Sequence, residues 1–343
     1  MSKADHAVGM GGGLGRLAAM LGMGALLAGC AAATMAPSCS AIADTEPIPW
    51  QALAPGIWVW PGAVADMDAA NRGHVAPTTV VVDSGEAAVI DPGPSWQHGQ
   101  RVRRAVACQF QARVRWVVNT HAHAENVLAN GAFDADVNSG QAAIVSTSAT
   151  LAAMGERCPN CLASLTARVG EAAMAGTQIR LPTHLVRTGD TLRVGQKILQ
   201  VVSVEQGHTE GDLVLWDAAS GVLWSGGLAY LGRLPELAQG SVEGWLAALD
   251  RLDRLKPMHV VSAVVSSATE PGALPEALAA TKAYLTALRK GVLQAMDEGH
   301  QPQEPGLVPL AAFAHWAGYA ERQAFNVQRA WRELEPVWMD RGK

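Results

Sequence analysis

Two histidines one residue apart, followed by a carboxylate, make His121-Ala122-His123-Ala124-Glu125 the group of side chains best suited to chemistry in this 343-residue chain. On extended backbone alternate side chains project to the same side, so both imidazoles reach one ion at about 2.0–2.1 Å and Glu125 falls beside it. A pair of solvated loop histidines is the competing reading, because so short a motif recurs by chance. A third imidazole, His208, sits in the glycine-flanked run Gly207-His208-Thr209-Glu210-Gly211-Asp212. Three neutral nitrogen donors leave a tetrahedral zinc one open position, and that set lowers the pKa of bound water to about 7. Upstream, Asp91-Pro92-Gly93 places a carboxylate in a tight turn.

Groups so far apart in sequence need strands to bring them together. The β-branched, aromatic run at 114–119 reads as a buried strand that delivers His121 and His123 at its mouth. Further strands are expected at 57–60, 78–82 and 87–90, with a helix near 97–112. A second half follows, with strands at 191–194 and 197–204 joined at Gly195-Gln196, then strands at 212–216 and 222–225. Residues 148–175 read as mostly helical. Ser241 is the expected N-cap of a helix whose Trp245, Leu249 and Leu252 share one face. The tail from 271 is helical, and either packs on the strands or serves as a docking appendage.

A strand ending in D-x-G, then T-H-x-H-x-D-H, then G-H-T-x-G-D is the signature that Asp91–Gly93, Thr120–Asn126 and Gly207–Asp212 resemble, that of the metallo-β-lactamase superfamily. The stretch Asp68-Ala69-Ala70-Asn71-Arg72-Gly73-His74-Val75-Ala76 is similar to one branch, the quinoprotein relay system zinc metallohydrolases. So are Gly232-Arg233-Leu234-Pro235 and Ala324-Phe325-Asn326-Val327. The resemblance implies an α/β (α+β) fold, a four-layer αββα sandwich over residues 49–270 with a C-terminal helical extension over 271–343. It also implies a first zinc site of His121, His123 and His208. In the second site Glu125 stands for an aspartate, while Asn126, Gly227 and Val264 stand where the family has two histidines and a bridging aspartate. None of these three coordinates a second zinc. One ion is therefore expected, and changing Asn126, Gly227 and Val264 to His, Asp and His should restore a second. Glu125 acts as general base or anchor, and Asp91 as a buried acceptor that orients the metal loop. His74, in a loop that hangs over the metal in this superfamily, is expected as a replacement ligand or substrate contact. His98, His184, His259, His300 and His315 read as surface or packing residues.

The N-terminus sets the compartment. Lys3 and Arg16 precede an apolar run from Leu17 to Ala28, shorter than a membrane span and suited to a signal peptide over 1–29. Leu27-Ala28-Gly29-Cys30 resembles a lipobox, which would make Cys30 a lipid anchor at the periplasmic face of the outer membrane, with 30–48 as a tether; cleavage after Ala43 is the alternative. Of the other cysteines, Cys39 belongs to leader or tether, and Cys108 is expected to be buried on a helix. Cys158 and Cys161 form a local disulfide or a redox pair. A chain with 49% hydrophobic residues, 17% charged residues and a net charge of −5 is an ordinary globular protein with nothing basic enough to bind nucleic acid.

Two functional classes follow. One is a mononuclear zinc hydrolase of a small ester, lactone, thioester or amide. The other is a binding or accessory protein of a periplasmic quinoprotein dehydrogenase or cytochrome. The lost second-site groups argue against β-lactam turnover.

Overall fold

Alternation along the strands decides the architecture. In the computed structural model, which describes residue 39 and residues 47–304 and 306–340, Leu213 and Leu215 of one strand join the core between two sheets. Val214 and Trp216 of that same strand face helices on the other side. A strand buried on both faces belongs to an inner layer.

The first sheet runs in spatial and sequence order: β1 (Gln51–Ala54), β2 (Ile57–Trp60), β3 (Thr78–Asp83), β4 (Glu86–Ile90), β5 (Arg113–Val118), β6 (Ala143–Ser146) and β7 (His184–Leu185). It is antiparallel as far as β4 and parallel from β4 to β7. The second comprises β8 (Thr191–Val194), β9 (Lys197–Gln206), β10 (Glu210–Asp217), β11 (Val222–Trp224), β12 (His259–Val261) and β13 (Val265–Ser267), with β11 and β12 its parallel pair. Between the sheets Ile57, Val81, Ile90 and Val118 meet Leu199, Leu213, Leu215 and Trp224.

Helices cover both outer faces. On the first sheet, α1 (Trp96–Cys108) packs Val102 and Val106 against Val80, Val89 and Val117. After β5 come the short helices α2 (Ala124–Val127) and α3 (Asp134–Asn138), and after β6 the long α4 (Ser148–Val169) and the single turn α5 (Glu171–Met174). On the second sheet lie α6 (Val242–Asp253), α7 (Glu276–Asp297) and α8 (Tyr319–Asp340), whose Leu249, Tyr284, Leu288 and Trp331 cluster with Val214, Leu223 and Val260. The expected four-layer αββα sandwich is present, with its C-terminal helices.

Those helices pack on the sandwich, which decides between the two readings of the tail. Ser241 caps α6 as expected, and Glu333 of α8 accepts from the Ser241 hydroxyl and from the Val242 and Glu243 amides. A carboxylate at a helix N-terminus satisfies orphan donors and meets the positive end of the dipole.

The cysteine expectations are corrected. Cys108 is half-buried and disulfide-bonded to Cys39, so the residue assigned to the tether is tied to α1. Cys158 and Cys161 are free thiols on α4, not a disulfide, and burial pushes the Cys158 thiol up to about 11. A thiol so placed is a packing group and not a redox nucleophile. Cys30 and the leader lie outside the described residues.

Candidate metal centre

β5 ends at Val118, and its continuation is pinned to both sheets. The Thr120 amide donates to the Asp91 carboxylate at the end of β4, while the Thr120 carbonyl accepts from the Leu213 amide of β10. His121 and His123 therefore leave the strand at a fixed point between the halves. His208 arrives in the turn between β9 and β10. Its loop closes on the buried Asp212, which accepts from the Thr209 amide and hydroxyl.

These three histidines converge. Their donor atoms lie within 4.8 Å of one another, with ring centroids 4.6–5.0 Å apart. Each ring has its other nitrogen committed. His208 Nδ1 is 2.9 Å from the Glu236 carbonyl, and His123 Nε2 is 3.0 Å from Gln239 Oε1. Both partners are acceptors, so the nitrogens facing them carry the protons. Thr120 Oγ donates to Asp91 at 2.8 Å and so accepts from His121 Nδ1 at 2.9 Å. The nitrogens left to face one another are His121 Nε2, His123 Nδ1 and His208 Nε2, and a metal bound there would displace the proton that Glu125 keeps on His123. His123 Nδ1 and His208 Nε2 stand 3.2 Å apart. Donors each 2.0–2.1 Å from a tetrahedral centre are separated by about 3.3 Å, so the set fits a zinc ion.

Charge at the site is shared. Burial pulls His123 down, but the Glu125 carboxylate, 3.8 Å away, lifts it to about 9. Burial and then the charge of His123 hold His121 down at about 3 and His208 well below its ordinary value. Burial pushes Glu125 up, yet hydrogen bonding to His123, the His123 charge and Arg233 outweigh it, so Glu125 is ionised. Asp91 is lifted to about 7 by burial against the opposing hydrogen bonds from Thr120 and Asn126. Asp91 touches Thr120 and Asn126, so it orients His121 through Thr120.

The second-site positions have other duties. Asn126 donates to Asp91. Val264 packs against the helical core. At Gly227 a side chain would put its Cβ 2.0 Å from His208 Cδ2 and 2.6 Å from its Nε2. The expectation that Asp at 227 would help to restore a second ion is therefore corrected, because His208 fills the space that carboxylate needs.

His74 is placed elsewhere. Its ring packs 4.4 Å from Trp60 and 4.6 Å from His98, and it is not among the three converging histidines. His98 is a buried packing residue as expected, bonded to Thr78 Oγ. Sequence reasoning missed Gln239, Glu236, Asp212, Tyr230 and Arg233. Tyr230 lies 6.0 Å from His208, and Arg233, over the Tyr230 ring at 5.7 Å, is the cation nearest the triad in its electrostatic effect. One signal was available: each outer histidine has an adjacent threonine, Thr120 or Thr209, and each threonine holds a buried aspartate.

A family model, that of the metallo-beta-lactamase superfamily, matches residues 72–263. The chain belongs to the metallo-beta-lactamase superfamily. Among solved structures, a β-lactamase domain protein from Burkholderia ambifaria is similar with a TM-score of 0.58 at 19% identity, over 87% of this chain and 91% of that one. The stereoselective inverting sec-alkylsulfatase Pisa1 from Pseudomonas sp. gives 0.59 at 14% identity, over 82% and 49%. A metallo-β-lactamase from Pseudomonas aeruginosa in its mono-zinc form gives 0.53 at 14%, over 70% and 96%. Identities this low establish the superfamily's fold alone. No curated protein matches the sequence. This superfamily's fold typically binds zinc, and the donor set of the triad fits that ion.

Proposed function

We propose that this protein is an exported, mononuclear zinc hydrolase of a small ester, lactone, thioester or amide. The observation that carries the reading is the convergence of three histidines, each with its outward nitrogen engaged and its other nitrogen facing its two neighbours. Zinc held there supplies Lewis acidity towards a carbonyl oxygen and acidifies water. Glu125, ionised and beside His123, accepts a proton or anchors the attacking water by hydrogen bonding. Thr120 with Asp91, Gln239, and the Glu236 carbonyl hold the three rings in register. Arg233 supplies fixed positive charge that acts on Glu125.

Two further observations support the narrower parts of the reading. Arg233 Nη1 lies 3.4 Å from the Val75 carbonyl and 3.5 Å from that of Ala65, so two stretches similar to the quinoprotein relay branch meet beside the triad. The Cys39–Cys108 disulfide fits an oxidising compartment such as the periplasm. It also favours Cys30 over Ala43 as the processing point, since cleavage after Ala43 would remove Cys39.

Elemental analysis of protein purified without added metal, and again after reconstitution, tests the proposal. About one zinc per chain, lost in His208→Ala, is expected, with hydrolysis of some member of a panel of esters, lactones, thioesters and amides. Absence of zinc after reconstitution overturns it and leaves the binding or accessory role with a quinoprotein dehydrogenase. Palmitate labelling that depends on Cys30 tests the anchor.

A further inference from the structure

Residues 61–77, between β2 and β3, form neither helix nor strand. A connection that long within a compact domain is usually an active-site lid or a binding loop. Its neck is tied, because the Ala63 amide donates to the His74 carbonyl at 2.9 Å. Its tip holds itself together. Asp68 Oδ1 accepts from the Ala70 and Asn71 amides, Asn71 Oδ1 accepts from the Asp68 and Gly73 amides, and Asn71 Nδ2 donates to the Asp66 carbonyl at 2.7 Å. The tip is thereby built to move as one piece.

Three contacts hold the tip down. Met67, partly buried, packs on the apolar cluster that contains Leu165 of α4 and Ala124, the residue between His123 and Glu125. Arg233 Nη1 is 3.5 Å from the Ala65 carbonyl, and the segment after it supplies Glu236 and Gln239, the outer partners of His208 and His123. Arg322 of α8 forms an ion pair with Asp66. Four residues on, and so on the same face of α8, Asn326 accepts from the Leu237 amide and donates to the Pro235 carbonyl. One helix face thus touches both the loop and the support of a metal ligand.

The ion pair is the strongest of the three contacts, being charge-assisted where the Arg233 contact is long and Met67 is only partly covered. It is also easily broken, because its side chains are 20% and 42% exposed and water and salt screen them. We propose that residues 64–73 are a lid over the approach to the metal centre, and that the Arg322–Asp66 ion pair is the latch by which the C-terminal helix holds it closed. Breaking the pair frees the tip on its tied neck. That changes how fast small molecules and ions reach and leave the triad, not how tightly the triad holds zinc. Only the zinc part of this inference rests on the mononuclear-zinc reading.

Hydrogen exchange measured by mass spectrometry over 61–77, with the rate of zinc removal by a chelator, tests the latch. Alkylation of Cys161, a free thiol packed on the same cluster as Met67, reads opening without metal. Asp66→Ala deletes the carboxylate and keeps the carbonyl that Asn71 uses. It should speed exchange at 64–73, zinc removal and Cys161 alkylation by about two- to fivefold, the range for a partly exposed pair, with equilibrium zinc affinity unchanged. Arg322→Gln should do the same. The double variant should be no faster than either single one, since both changes remove one contact. Unchanged exchange at 64–73 in Asp66→Ala overturns the proposal, as do additive effects of the two changes. So does a freed loop that leaves both zinc removal and Cys161 alkylation at their wild-type rates. Exchange and alkylation need no zinc, so the hydrolase reading can fail without this one.

Discussion

Gly227 lies so close beneath His208 that a Cβ there would stand 2.0 Å from the imidazole Cδ2. Since His208 Nδ1 is held by the Glu236 carbonyl at 2.9 Å, the ring cannot swing away without giving up that bond. The glycine is therefore what lets His208 take its place in the triad. Gly227→Asp is expected to lower zinc affinity about tenfold or more, as disturbing a ligand's outer partner does. Combining it with Asn126→His and Val264→His should still give no more than about one zinc per chain by elemental analysis. Two tightly bound ions in the triple variant would show that His208 has room to move.

Glu125→Gln separates binding from turnover. The amide keeps the shape of the side chain but cannot accept a proton as a carboxylate does. Zinc content should stay near that of wild type, while hydrolysis of whichever substrate the panel identifies falls by about 10²–10⁴-fold. Equal rates in the two proteins would reduce Glu125 to an anchor for His123.

The C-terminal helix supports the histidine triad through Asn326. Its Oδ1 accepts from the Leu237 amide at 3.1 Å and its Nδ2 donates to the Pro235 carbonyl at 2.8 Å, bracketing Glu236. Asn326→Ala should cost about 1–3 kcal/mol for each buried group left unpaired, measured by chemical denaturation. It should also weaken zinc binding, by about tenfold in a competitive chelator titration. Tyr284→Phe, which removes the hydroxyl that accepts from Asn326 Nδ2 at 2.8 Å and donates to Gln323 Oε1 at 2.9 Å, should leave zinc affinity unchanged. Equal zinc affinity in Asn326→Ala would confine α8 to a packing role.

Acid should destabilise the fold through His74 and His98. Burial holds His74 at about 4 and His98 well below the ordinary 6.5. A histidine whose pKa is lower folded than unfolded takes up its proton more readily in the unfolded chain. Its contribution is complete above about pH 6.5 and is lost as pH falls towards 4, by about 3 kcal/mol for His74. Denaturation curves at pH 7.5 and pH 4.5 should differ less in His74→Asn than in wild type. An equal difference would place the acid sensitivity elsewhere.

Reduction should weaken the fold as well. Cys39 and Cys108 are 69 residues apart, and closing so long a loop stabilises by about 4 kcal/mol in the chain-entropy account. A fall in Tm on adding a reductant, absent in Cys39→Ser, is the expected result.

Much of this molecule was legible in local pattern. Alternation marked β2 to β5 and β8 to β11, because a strand with one face or both in a core writes that burial into its own residues. Ser241 announced α6 through its cap. His121, His123 and His208 could be named as one metal set because His-x-His at a strand mouth and His-Thr in a glycine-flanked turn are short-range features that resemble the superfamily's signature. The pieces missed were short or polar. β1, β6, β12 and β13 have three or four residues each, and α2 contains Glu125 and Asn126, too few and too mixed for a period to show.

Tertiary structure alone decided what each histidine leans on. Gln239 is 116 residues from His123, and Glu236 is 28 from His208. No local periodicity links such partners, since His123 follows a strand of the first sheet and Gln239 a strand of the second, while Glu236 and His208 meet by packing within the second half. Packing within the second half put Gly227 under His208, and packing within the first set His74 against Trp60 and His98. Sequence determined which side chains could ligate a metal. Packing determined which nitrogen of each ring is free to do so, because that choice depends on the acceptor that the fold brings to the other one.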